Sequence, residues 1–214
     1  LLLPPNIFEE MDLTYWGPFD GHRLDELEEI FSLARDYPES LLIHVITHKG
    51  KGCPEAEAQP ARFHGVGPGT VLGETPARKA PDWSRAVSQT AERMAEEDPR
   101  VVCCTAAMKE GTRLQEFSRR FPHRFFDVGI AEGHLLTFAA GMAAGGLRPL
   151  VCIYSTFLQR AMDQWVHDIC LPGLPVLLCV DRAGLVGEDG ETHQGLLDLP
   201  WGRTIPGATL LAPR

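Results

Sequence analysis

Apolar positions along this chain follow two rhythms separated by a stretch with none. In RLDELEEIFSLARD (23–36), Leu24, Leu27, Ile30, Phe31 and Ala34 recur at helical spacing and predict an amphipathic helix. SLLIHVITH (40–48) is apolar and partly β-branched, so it predicts a strand. Residues 49–81, KGKGCPEAEAQPARFHGVGPGTVLGETPARKAP, are rich in Gly, Pro and charge, carry no periodic pattern, and read as a linker or a functional loop.

Beyond that stretch, short apolar runs alternate with helical ones. Helices are predicted over 83–97, 112–121, 132–144 and 156–170, and strands over 101–105, 125–130, 149–155 and 174–181. ATLLAP (208–213) predicts the start of another strand. The strand segments are almost continuously apolar, as strands buried on both faces must be. This alternation predicts an α/β fold, a parallel sheet covered by helices on both faces. The expected organisation is the end of one α/β domain (1–52), a linker (53–81) and most of a second α/β domain (82–214).

Composition narrows the classes without naming one. The chain is 44% hydrophobic and 23% charged, which is ordinary globular usage. A net charge of -9 argues against a nucleic-acid surface, which needs a basic patch. No apolar run reaches 18 residues, so no transmembrane helix is expected. The opening LLLPPNIFEEMD lacks a signal peptide's basic start and an initiator Met, and with the closing LLAPR it suggests a piece of a longer protein. The six cysteines support neither a zinc site nor a disulfide framework by spacing, and are expected as small buried hydrophobes in a reducing compartment.

In open α/β sheets, ligands bind beyond the carboxyl ends of the strands. That rule picks out three places. The first is FFDVGIAEGHLLTFAAGMAAGG (125–146), an apolar and small-residue stretch holding Glu132 beside His134. Burying an ionised acid is costly without a partner, so Glu132 either sits harmlessly at a helix N-terminus or holds a proton for something else. The second is YSTFLQR (154–160), where Tyr154, Phe157 and Arg160 surround a strand-to-helix turn. Phe157 as core and Arg160 as a surface charge is the competing reading. The third is DRAGLVGEDGETHQG (181–195), whose glycines permit close backbone approach and whose Arg182, Asp189 and His193 could hold an anion and move protons. A solvated connecting loop has the same composition. HKGKG (48–52) could hold a phosphate through Lys49 and Lys51, or be a solvated basic turn. FDGH (19–22) could be a turn and helix cap, and His44, His123 and His167 read as structural.

Taken together, GPFDGH (17–22), HKGKG (48–52), FHGVG (63–67), AAMKEGT (106–112), FFDVGIAEGH (125–134), TFAAGMAAGG (137–146), YSTFLQRAMDQWVHD (154–168) and DRAGLVGEDGETHQG (181–195) resemble the 1-deoxy-D-xylulose-5-phosphate synthase family, within the transketolase superfamily. The strings YSTFLQRA and DRAG-x-VG-x-DG-x-THQG are specific to that family; transketolases share its fold and acid but not these strings. The resemblance implies a thiamine-diphosphate- and Mg2+-dependent transferase, cytoplasmic and homodimeric, that joins pyruvate to D-glyceraldehyde 3-phosphate with loss of CO2. It implies that Glu132 bonds N1′ of the cofactor's aminopyrimidine, on which Phe157 stacks. It implies that Tyr154 and Arg160 line the substrate channel and that Arg182 pairs with the substrate phosphate. Asp189 and His193 are implied to hold the pyruvate-derived intermediate and the acceptor hydroxyls, with His193 also transferring protons. Lys49, Lys51, Cys53 and His64 match positions near the cofactor.

The chain also departs from the family. No Gly-Asp-Gly occurs in it, so the family's metal and diphosphate site is expected outside these residues, and the segment alone is expected to be inactive. Cys53 stands where the family usually has Tyr, Gly133 where many members have Gln, and LLDLPWGR follows the Gly-rich loop in place of F-D-L-S-Y-L-R. The alternatives are a split or decayed paralogue that binds a partner without catalysis, and another thiamine-diphosphate ketolase.

Overall fold

The computed structural model describes residues 6–61, 63–65, 82–186 and 190–212. The chain forms two compact units, Leu1–Pro76 and Ala77–Arg214.

In the first unit, strand β1 (Thr14–Asp20) and strand β2 (Leu41–Ile46) pair in parallel, joined by helix α1 (Leu24–Arg35). Strand β1 escapes sequence reading because Gly17 and Pro18 interrupt its apolar run, and the register shifts between Trp16 and Phe19 at that point. The FDGH turn forms: the Asp20 carboxylate accepts from the His22 amide at 2.9 Å, and α1 begins directly after. Of the apolar face predicted for α1, only Ile30 is buried, while Leu24 and Phe31 stay exposed. A two-stranded sheet is too narrow to cover the whole helical stripe. Within the stretch read as patternless, Pro54 opens a short helix α2 (Pro54–Ala58), the first-turn position where proline costs no hydrogen bond. The remainder of that stretch, from 66 to 81, lies outside the described residues.

The second unit is the predicted layered α/β fold. Helix α3 (Trp83–Glu97) leads into strand β3 (Val101–Thr105), followed by helix α4 (Gln115–Arg120), strand β4 (Phe125–Asp127), helix α5 (Glu132–Ala144) and strand β5 (Arg148–Tyr154). A stepped helical segment then precedes strand β6 (Leu177–Asp181). The sheet order is β4-β3-β5-β6, all parallel. Alternation along the strands sends their side chains to two cores. Val101, Cys103, Leu150 and Cys152 meet Ala91 and Ala95 of α3 and Leu114 and Phe117 at α4. Val102, Cys104, Val151 and Ile153 meet Leu135, Leu136 and Ala139 of α5 and the stepped segment on the other face. Cys103, Cys104 and Cys152 are buried free thiols, serving as small apolar residues. Asp82 caps α3 by accepting from the Arg85 amide at 2.7 Å.

Several predicted elements differ in extent or kind; β6, for one, begins at Leu177 rather than 174. Strand β4 ends at Asp127 rather than running to 130, because the Asp127 carboxylate turns back to accept from the Ala107 and Gly129 amides at 2.7 and 3.1 Å. Helix α4 starts at Gln115 rather than 112, since Arg113 is left-handed (φ 62°). The single helix predicted over 156–170 is stepped: α6 (Ser155–Leu158), a 3-10 turn (Gln159–Ala161), α7 (Met162–Gln164) and a π-helical turn (Trp165–Cys170). Residues 208–212 join no sheet, and a short helix α8 (Asp198–Thr204) precedes them. An apolar run becomes a strand only when a free sheet edge pairs with it, and that pairing is a tertiary event.

Candidate functional site

The chain leaves β3 toward β4 on one side and, through β5, toward β6 on the other. The topological switch therefore lies between β3 and β5, and the crevice for a ligand opens beyond their carboxyl ends. Two local contacts shape it. The Tyr154 amide, at the end of β5, donates to Met108 Sδ at 3.2 Å. Gly111 faces the Tyr154 phenol so closely that a Cβ there would lie 1.4 Å from Oη. Glycine at 111 is what lets this aromatic ring sit where it does.

Glu132 is the first residue of α5 and only 2% exposed. A helix N-terminus is a favourable place for an acid, so the backbone supports it there. Its surroundings do not satisfy it. Oε2 finds no hydrogen-bond partner among the described residues, and Arg160 Nη1 approaches it at 3.4 Å from a side chain that is 66% exposed. Buried polar atoms are nearly always bonded, so an oxygen without a hydrogen bond at the ligand edge of the sheet is suited to one from a ligand. A Cβ at Gly133 would meet Gln164 Oε1 at 3.3 Å, so the turn beside the acid is close-packed even without a side chain.

Across the edge, the ends of β5 and β6 bring four of the predicted residues together. Tyr154 and Asp181 are register partners, which places Arg182 beside Tyr154. The Arg182 guanidinium lies over the Tyr154 ring at 4.0 Å, its backbone left-handed (φ 56°). Phe157 stacks on Tyr154 at 5.9 Å between centroids and meets the His193 imidazole edge-on at 5.3 Å. His193 Nδ1 also bonds the Thr192 hydroxyl at 2.8 Å. Phe157 and His193 are both half-buried, so each has ring surface open to a ligand. Arg160 joins Glu132 rather than this aromatic group. Asp189 lies outside the described residues.

The remaining candidates belong to the first unit. Lys49 Nζ bonds His64 Nδ1 at 2.8 Å. Lys51 sits in a tight turn whose amide donates to the His48 carbonyl, and Cys53 precedes α2 with its thiol 3.6 Å from Glu55 Oε2.

Several further residues take roles that sequence reading does not assign them. Asp181 ends β6, accepts from the Ser84 hydroxyl at 2.6 Å, and has its carboxyl pKa raised by burial, with that hydrogen bond opposing the shift. Ser155 donates to the Asp198 carboxylate at 2.7 Å, and Thr156 donates to the Thr192 carbonyl at 3.0 Å. His167 is paired, its Nδ1 2.8 Å from Asp168, which raises the imidazole pKa. The Thr137 hydroxyl and His167 both bond the Asp168 carboxyl and hold its pKa low. No cluster of His, Cys, Asp and Glu among the described residues could hold a metal ion.

Residues 79–214 match the family model described as transketolase, pyrimidine binding domain, and residues 1–47 match a model described as 1-deoxy-D-xylulose-5-phosphate synthase. The curated 1-deoxy-D-xylulose-5-phosphate synthase of Natranaerobius thermophilus is 51% identical over 217 residues, covering 100% of this chain and 34% of that protein. That of Clostridium tetani is 49% identical over 215 residues, covering 100% and 35%. The chain thus spans about a third of the length of these relatives. Among solved structures, a transketolase from Pichia stipitis in complex with sedoheptulose-7-phosphate aligns with a TM-score of 0.53 at 17% identity, over 85% of this chain and 27% of its own. At that identity the likeness concerns the fold.

Proposed function

The chain belongs to the transketolase pyrimidine-binding domain family, and from that premise we propose that it is a segment of a 1-deoxy-D-xylulose-5-phosphate synthase. The whole protein would condense pyruvate with D-glyceraldehyde 3-phosphate with loss of CO2, as a cytoplasmic homodimer. Its product would feed non-mevalonate isoprenoid, thiamine and pyridoxal synthesis. In this reading, residues 1–52 end the diphosphate-binding domain, 53–81 link, and 82–214 form most of the pyrimidine-binding domain. Residues outside the chain would hold Mg2+ and the diphosphate, so the segment alone should turn over no substrate.

The observation that carries the reading is the buried Glu132 carboxyl with its unbonded Oε2 at the ligand edge of the sheet. Thiamine diphosphate, when bound, supplies the carbon nucleophile that side chains cannot provide. Glu132 would hold a proton at the aminopyrimidine N1′, and Phe157 would offer its ring face to that heterocycle. Arg160, paired with Glu132, and Tyr154 would line the way in. Arg182 would take the substrate phosphate, for which a guanidinium fixed over an aromatic ring is well prepared. His193 and Asp189 would bond the substrate hydroxyls, with His193 moving protons. Lys49, Lys51, Cys53 and His64 would contact the cofactor in the whole protein.

The test uses the full-length protein. CO2 release from pyruvate should depend on D-glyceraldehyde 3-phosphate, and Glu132→Gln should lower kcat by about 10²–10⁴-fold while the protein stays folded. Unchanged turnover in Glu132→Gln removes the assigned mechanism. Release driven equally by other aldehydes points to a different ketolase, and none at all to a non-catalytic subunit.

A further inference from the structure

The site leaves one question open: what holds His193. Its half-buried imidazole touches Phe157 edge-on and bonds the hydroxyl of Thr192, the residue before it on the same backbone. The backbone beneath must therefore set its position. That backbone is the second limb of a loop that begins after β6 and is closed by a two-bond antiparallel bridge, Gly184 N–H to Gly195 O at 2.7 Å and Gly195 N–H to Gly184 O at 2.8 Å. Gly195 admits no side chain, since a Cβ would lie 2.5 Å from both the Arg182 carbonyl and Ser155 Oγ. Beyond this bridge the limbs separate, and Gly190 is left-handed (φ 76°).

Where the limbs separate, the Gln194 side chain takes the place of a strand partner. Its Oε1 accepts from the Val186 amide at 2.7 Å, and its Nε2 donates to the Val186 carbonyl at 3.0 Å and the Gly190 carbonyl at 2.5 Å. One amide thus serves both backbone groups of Val186 on the opposite limb and the Gly190 carbonyl at the start of the turn that carries His193. Only an amide of this length can both accept and donate here; a glutamate loses the two donated bonds and an alanine all three.

We propose that Gln194 is a positioning residue that clasps Val186 to Gly190 and thereby fixes His193 against Phe157 for the acceptor substrate. The catalytic part of this inference rests on the function proposed above; the clasp does not.

In the full-length protein, Gln194→Ala and Gln194→Glu should each lower kcat/KM for the aldehyde acceptor by about 10–100-fold, the scale of a misplaced catalytic group. The affinity for thiamine diphosphate should stay within about threefold, because the clasp acts on His193 and not on Glu132. The double variant His193→Ala/Gln194→Ala should be no worse than His193→Ala, since a residue acting through another adds nothing once that one is gone. Acceptor kcat/KM within about threefold of wild type in both single variants, or losses that multiply in the double variant, overturns the positioning role. Amide hydrogen exchange gives a readout without turnover: the Val186 amide should exchange at least about tenfold faster in Gln194→Ala. Unchanged exchange there overturns the clasp. Wild-type protein without acceptor-dependent activity removes the functional reading instead, and exchange still decides the clasp.

Discussion

A site built around an unsatisfied acid should be less stable than the fold allows, and Glu132→Met measures by how much. Methionine keeps the length and unbranched shape of the side chain while removing both oxygens. Wild type carries a buried carboxyl with one oxygen that has no hydrogen bond, a burden of about 1–3 kcal/mol before its contact with Arg160 is counted. The substitution gives up the contact with Arg160, worth at most about 1 kcal/mol because the arginine is largely exposed. It also gives up an acid in the first helical turn, about 0.3–1 kcal/mol. Central values leave the variant more stable by about 1 kcal/mol, a rise of about 2–5 °C in Tm for a unit of this size. The assay is urea and thermal unfolding of the cofactor-free protein, followed by tryptophan fluorescence. Adding thiamine diphosphate to the full-length protein should then reverse the order, because a ligand stabilises only the form that binds it. A Met variant clearly less stable than wild type without cofactor refutes the reasoning: Glu132 would then be satisfied within the fold, and its orphan oxygen would not be a site held for a ligand.

Phe117, fully buried between α4 and the sheet, should cost about 3–5 kcal/mol when changed to Ala, read as a lowered denaturation midpoint. Asp181 has its carboxyl pKa raised in the fold by burial, so folding favours its protonated form. Its stabilising contribution is complete below the unfolded value near 3.8 and is lost as pH rises through the raised folded value. Asp181→Asn, which keeps an acceptor for Ser84, should therefore match wild type in strong acid and exceed it at neutral pH; parallel pH–stability curves would contradict this. Burial raises the thiols of Cys103 and Cys104, that of Cys104 to about 12, and a hydrogen bond with Cys179 together with burial raises that of Cys152. A thiol reagent at pH 8 should therefore label Cys53 in the native protein far faster than these three, as peptide mapping would report.

How much was legible beforehand varied with how local each feature is. Helices over 83–97 and 132–144 and the strand over 101–105 have the bounds read from pattern alone, because their apolar periodicity, caps and small residues all agree. The segment 156–170 has a uniformly helical composition that predicts one continuous helix, whereas its hydrogen-bond pitch changes three times under packing. Strand β1 was hidden by Gly17 and Pro18, and 208–212 resembled a strand without acquiring a partner. At the site, Glu132, Tyr154, Phe157, Arg182 and His193 could be chosen because each follows a strand or shares a specific string. Gln194, Asp181 and Gly111 lie in quoted strings too, but their roles could not be assigned, since what they do depends on a backbone limb, a helix start and a ring that are distant or non-adjacent in sequence.

The sequence by itself determined the layered α/β class, the strands buried on both faces, the edge at which a ligand would bind, and the acid misplaced in an apolar run. Those follow from side-chain periodicity and chain order, which are local. Only the tertiary structure decided that Glu132 keeps an unbonded oxygen at that edge, that Arg182 lies over Tyr154, and that Gln194 stands in for a strand. Each of these is a hydrogen-bond or contact account between segments far apart or on opposite limbs, and such accounts close only when the backbone has brought the groups within about 3–4 Å of one another.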